Sequence, residues 1–183
     1  MKTIAKHVSA GILAVLLLDA GVGQAYAQVT QNIGIKSWAN DVMSGYDDGS
    51  WVVNGTEYDP FVGNVNNLSG KTRMLLKFDI SNISGTVTAA DLDLTSFYRA
   101  GTNVVQVSSY DSNETSDTFT SADIADSLAN STPITTFTDT SGSGLQLHWN
   151  LDITSAVQTA KANGYSYVSF LLYSETANAI TEA

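Results

Sequence analysis

The sequence predicts an all-β fold, a jelly-roll-like antiparallel β-sandwich carrying one or two short helices. Three observations support this. Apolar and polar residues alternate through several short segments, the stretches between them are dense in Ser, Thr, Asn, Asp and Gly, and only two segments carry helical spacing. Alternation with period two puts one side of each strand into a core, and the turn-forming residues mark where each strand stops.

Taken in order, the chain opens with Lys2 and Lys6, an apolar run after Ala10, and small residues at Ala25 and Ala27. That is the pattern of a secretory leader, residues 1–27, cleaved before Gln28. The run is shorter than the roughly 20 residues of a membrane span, so no membrane span is expected once the leader is removed. Thr72–Ile80 is the first well-marked strand, with Met74, Leu76, Phe78 and Ile80 on one side. Asp91–Tyr98 follows with Leu92 and Leu94 inward, then Val104–Tyr110 and Tyr165–Tyr173, rich in β-branched and aromatic residues, with Gly144–Leu151 between them alternating Leu145, Leu147, Trp149 and Leu151 with polar residues. Ser121–Ala129 has room for two helical turns. Thr154–Asn163 is the better helix, with Asp152 or Thr154 as N-cap and Asn163-Gly164 as its stop. Two Pro and no break in composition give a single domain over residues 28–183.

Composition narrows the function. Among 183 residues there are 8 Lys+Arg, 18 Asp+Glu, 2 His and no Cys. The excess of acid argues against nucleic acid, whose phosphates need clustered cations. The missing Cys removes disulfides, thiolate metal sites and cysteine nucleophiles. Beyond the leader, His148 is the one remaining histidine. It lies on the polar side of an alternating strand, with no nucleophile or orienting carboxylate marked beside it in sequence. No catalytic residue is expected. Five N-x-[ST] sequons, at Asn54, Asn67, Asn82, Asn113 and Asn130, barely exceed chance in a chain so rich in Ser and Thr.

The segment Arg73–Leu94 (RMLLKFDISNISGTVTAADLDL) resembles the hallmark of DNRLRE-type modules, a group that takes in carbohydrate-binding module family 96 and the disaggregatase-related repeats. Phe78-Asp79-Ile80-Ser81, Ile83, Val87 and Ala90 match its central pattern. Asn40-Asp41-Val42 and Phe61-Val62-Gly63-Asn64 resemble its opening motifs, and Leu151-Asp152-Ile153-Thr154 with Val157 its later one. The likeness spans about residues 36–174. It implies a sandwich that holds a polysaccharide, as one part of a longer polypeptide, or that builds a cell-surface or matrix array without specific sugar binding. The family's closing P-x-L-x-V strand is not found before Ala183, so the expectation is a domain lacking its last strand.

Three candidate sites follow from the residues. Lys71, Arg73 and Lys77 share one face of the first strand, and as an exposed basic strip they would pair with the carboxylates of a uronate polymer. The alternative is that Asp91 and Asp93, sharing a face of the next strand, neutralise the strip through cross-strand pairs. Tyr46, Trp51 and Tyr58 fall in an aromatic and acidic loop, Ser44–Phe61, suited to neutral sugars or else to plugging one end of the sandwich. Asp111, Asn113, Glu114 and Asp117 lie within one acidic loop, where calcium would find hard oxygen ligands. No other cofactor is expected.

Overall fold

The computed structural model describes residues 11–17, 28–34, 42–46, 52–54, 61–64, 71–96, 98–111, 118–140, 147–176 and 179–182. It is an antiparallel β-sandwich with two short helices. The smaller sheet runs β11 (Leu147–Asp152), β7 (Thr86–Ser96), β1 (Gly11–Leu17), β2 (Gln28–Gly34). The larger runs β10 (Ser131–Asp139), β9 (Asn103–Tyr110), β12 (Tyr167–Ser174), β6 (Lys71–Asp79), β5 (Phe61–Asn64), β13 (Ala179–Glu182), β8 (Tyr98–Ala100). A side branch, β3 (Val42–Tyr46) with β4 (Val52–Asn54), pairs to β6. The helices are α1 (Ser121–Asp126) and α2 (Thr154–Ala162).

The main core lies between the sheets, where the alternation predicted it. Met74, Leu76 and Phe78 of β6, Val105 and Val107 of β9, and Phe170 and Leu172 of β12 meet Leu92 and Leu94 of β7 and Leu151 of β11. Phe78 and Phe170 pack edge to face with ring centroids 6.0 Å apart. At the far side Phe137 of β10 lies against Trp149 of β11 at 4.6 Å, joining the two sheets through aromatic contact.

Helix α2 is fixed over the end of this core. Ile153, Val157 and Ala160 are buried. The Asp152 carboxylate accepts the Thr154 N–H at 2.9 Å, and the Ala90 N–H donates to the Thr154 hydroxyl at 2.9 Å. Gln158 donates to the Val87 carbonyl at 2.8 Å, and Lys161 donates to that of Ile83. The helix stops where expected. Gly164 takes φ +74°, a left-handed geometry that glycine adopts without a Cβ clash, and Tyr165 N–H bonds back to Ala160.

A second layer covers the larger sheet on its other side. Helix α1 and Phe119 lie over Met43, Leu75, Tyr110 and Leu171, forming a separate small core. At the start of the helix the Asp123 carboxylate accepts the Thr120 N–H at 2.6 Å, the N3-to-N-cap half of a capping box, and also the Thr120 hydroxyl at 2.7 Å. Strand β6 is therefore buried on both faces, which the alternation alone did not reveal.

Two segments bear on the predicted domain limits. The apolar run assigned to a leader forms β1, bonded antiparallel to β2 on one side and β7 on the other. At the other end β13 is bonded between β5 and β8.

Candidate functional site

The three basic residues of β6 do share a face, but not an exposed one. Lys77 is 2% exposed, and its ammonium lies 4.4 Å from the centroid of the Phe119 ring and 5.7 Å from that of Tyr167. Arg73 reaches the end of α1 instead of solvent. Its Nη1 donates to the carbonyls of Ile124 and Ala125 at 3.2 and 3.3 Å and to the Ser127 hydroxyl at 3.5 Å. A cation there complements the negative end of a helix and satisfies carbonyls with no partner inside it. Lys71 keeps an exposed side chain and pairs with Glu175. The continuous exposed strip expected from the sequence does not form, because α1 and Phe119 cover the strand face that carries it.

The expected neutralisation by Asp91 and Asp93 is also corrected. Both lie on β7, in the other sheet, opposite Asp152 and Asn150 of β11. Asn150 donates to Asp93 at 2.6 Å. Partial burial, and then the charges of Asp152 and Asp93, raise the Asp91 carboxyl above its ordinary range. Hydrogen bonds from the Thr154 hydroxyl and N–H hold Asp152 below it. Next along the same pair of strands, His148 is exposed and its Nδ1 meets the Thr95 hydroxyl at 2.8 Å.

Of the aromatic candidates, Tyr46 ends β3 half-buried, opposite Thr72 of β6. Trp51 and Tyr58 lie outside the described residues, as do Asn113, Glu114 and Asp117 of the acidic loop. Asp111 is described. It is exposed at the end of β9, and its N–H bonds to the Asn130 carbonyl at 3.2 Å. Among the described residues no three His, Cys, Asp or Glu side chains converge as metal ligands would.

Beside Asp111 the structure opens a cleft of about 390 Å³ between α2 and the adjoining ends of β9, β10 and β12. One wall is helical: Ser155, Thr159 and Asn163, spaced four apart, stand together on one side of α2. The other wall comes from strands, with Ser109, Thr132 and Asp111 among its polar members and Pro133, Ile134 and Val168 its apolar ones. Tyr165, set by the turn that ends α2, also lines it. Ser169 borders it along β12 and is 1% exposed, but its side chain shares the face of Lys77 and Tyr110, beneath α1, where its Oγ finds no hydrogen-bond partner. The volume falls within the roughly 300–1,000 Å³ typical of small-ligand sites. Apart from Asp111, the lining carries no charged side chain among the described residues.

The sequence reading missed this cleft except for Asp111. The stripe of Ser155, Thr159 and Asn163 was legible, since the helix itself was predicted. Its opposing wall was not, because Ser109, Thr132 and Val168 reach it from strands far apart in the chain.

The model of carbohydrate-binding module family 96 matches residues 45–183, most of the chain. The chain belongs to carbohydrate-binding module family 96. The match takes in both helices, the seven strands on the main path of the larger sheet and every described residue of the cleft. As a module of this family the chain binds carbohydrate, and its family is one of binding modules and not of enzymes. A search of curated proteins finds no match.

Proposed function

We propose that the chain is a secreted, non-catalytic module that holds a polysaccharide outside the cell. The observation that carries this is the family match over residues 45–183, and the cleft beside α2 offers the side chains of Ser155, Thr159 and Asn163, which make no hydrogen bond to another described residue. Sugar recognition needs such groups beside apolar surface, and the cleft combines them.

The uronate preference expected from the basic strip has lost most of its geometric support. Lys71 keeps an exposed ammonium, whereas Arg73 and Lys77 hold the covering layer in place. Calcium in the acidic loop stays a proposal that turns on Asn113, Glu114 and Asp117.

Secretion rests on Lys2, Lys6, the apolar run and the Ala25-x-Ala27 pattern. Because β1 is drawn from that run, cleavage after Ala27 takes out a strand bonded on both edges and opens the edge of β7. Sequencing the N-terminus of exported protein tests this: Gln28 as the first residue supports secretion by cleavage, and retention of Gly11–Leu17 contradicts it.

Binding is tested by affinity electrophoresis through gels holding alginate, pectin, chitosan, xylan or hydroxyethyl cellulose. Retardation by at least one polymer is expected. A folded protein retarded by none would overturn the binding reading in favour of a structural surface subunit.

A further inference from the structure

We infer that the edge of β7 over Thr86–Asp93, opened when the leader is cut, is a docking site for a strand of a partner polypeptide in which apolar residues alternate with cationic ones. The inference rests on cleavage after Ala27 and goes on to name the surface that this exposes and the partner it fits.

The smaller sheet depends on β1. Among the described residues β1 alone joins β7 to β2. Without it only β11 and β7 stay bonded, and a two-stranded ribbon is marginal by itself. The ladder groups of Thr86–Asp93 that bond to β1 then lose their partners, which leaves a row of N–H and C=O groups open to another strand. Strand β2 is a poor replacement. Like β7 it is antiparallel to β1, so it lies parallel to β7, and moving it across would exchange an antiparallel ladder for a parallel one. The family match begins at residue 45, so neither β1 nor β2 falls within it.

The residues of β7 specify the occupant. Val87, Ala90 and Leu92 are buried in the main core, so the positions opposite them call for apolar residues. Asp91 and Asp93 stand on the other face, flanked on β11 by Asp152 and Asn150. Opposite charges facing one another across strands are favourable and like charges unfavourable. An incoming strand therefore gains from Lys or Arg opposite Asp91 and Asp93. The same rule disfavours a second copy meeting this one edge to edge, since its β7 would add its own Asp91 and Asp93 to the acidic face.

The test uses the exported chain, its N-terminus sequenced, and two synthetic peptides of the Gly11–Leu17 sequence. One carries Lys and the other Glu in place of Gly11 and Leu13, the positions opposite Asp93 and Asp91. A chain that begins at Gln28 should bind the Lys peptide one to one, about tenfold more tightly than the Glu peptide. Binding should slow hydrogen exchange along Thr86–Asp93. Asp91→Asn with Asp93→Asn should remove most of the preference for Lys and keep the binding. The uncleaved precursor, whose edge β1 fills, should bind neither peptide. A chain that begins at Gln28 and binds neither would overturn the inference while leaving secretion intact. Equal binding of the two peptides would overturn the charge assigned to the partner. Retention of Gly11–Leu17 on the exported chain would overturn the cleavage reading, and the docking edge with it.

Discussion

Two polar regions of this molecule lie close together and behave oppositely. Along β6, Lys71, Arg73 and Lys77 form the densest cationic row in an acidic chain, yet two of the three are taken up by the fold: Arg73 closes the end of α1, and Lys77 carries the Phe119 ring. In the cleft beside α2, weaker groups, Ser155, Thr159 and Asn163, make no side-chain hydrogen bond to another described residue. The difference teaches that a concentration of charge in sequence marks where interactions are strong, not where they are available. Availability depends on what covers the strand, here a short helix contributed from about fifty residues further along the chain.

That contrast can be broken most forcefully at Lys77. Lys77→Ala should lower unfolding free energy by about 2–4 kcal/mol, as for other large buried side chains cut to Ala, with polysaccharide retardation unchanged once folded. Lys77→Met, which keeps the stem and drops the charge, should cost clearly less, because a buried charge replaced by an apolar group of like shape is often tolerated. Denaturant melts of both decide it: equal losses would mean the ammonium itself holds the covering layer.

Arg73→Ala comes next, at about 1–2 kcal/mol, since it removes the cation from the helix end and leaves the Ala125 carbonyl without its donor, while Ile124 keeps the Ser127 hydroxyl. Hydrogen exchange should show faster exchange confined to α1 and the segment after it. Uniform acceleration across the larger sheet would contradict a local capping role.

Beneath α1, Ser169→Ala should raise stability by about 1 kcal/mol, because it removes a buried hydroxyl that has no hydrogen-bond partner. Denaturant melts check the sign, and a loss of stability would contradict it.

Lys71→Ala should change stability by less than about 1 kcal/mol, its pair with Glu175 being exposed and screened. The smallest effect belongs to the outer face of the smaller sheet. Asp91 has a raised carboxyl, so the folded state binds its proton more readily than the unfolded chain, and stability falls as pH rises through the window between the two values. Asp91→Asn should therefore stabilise by a few tenths of a kcal/mol at neutral pH, with no difference below the carboxylate range. Melts at neutral and acid pH test the sign.

The fold was largely legible because alternation is a local property. Met74, Leu76 and Phe78 reach the core that their spacing assigns, and Asn163-Gly164 ends α2 where a left-handed residue is required. What alternation cannot report is whether the opposite face of a strand is covered, and so Lys77 reads as a surface residue while it is buried. An apolar run is ambiguous for a related reason. Gly11–Leu17 has the composition of a leader and equally of a strand buried in a sheet, and continuous hydrophobicity does not separate the two. The cleft was illegible because its walls meet only after the sheets have closed.

The row along β6 serves the fold and not the glycan, which leaves the cleft beside α2 as the place where a sugar would rest. Xylan, cellulose and alginate oligosaccharides titrated into ¹⁵N-labelled protein would locate it directly. Amide shifts should move at Asn130–Thr132 and along Ser155–Asn163 with an oligosaccharide that binds, while those of Lys71–Lys77 and of α1 stay still. Shifts confined to Lys71–Lys77 and α1 would contradict it.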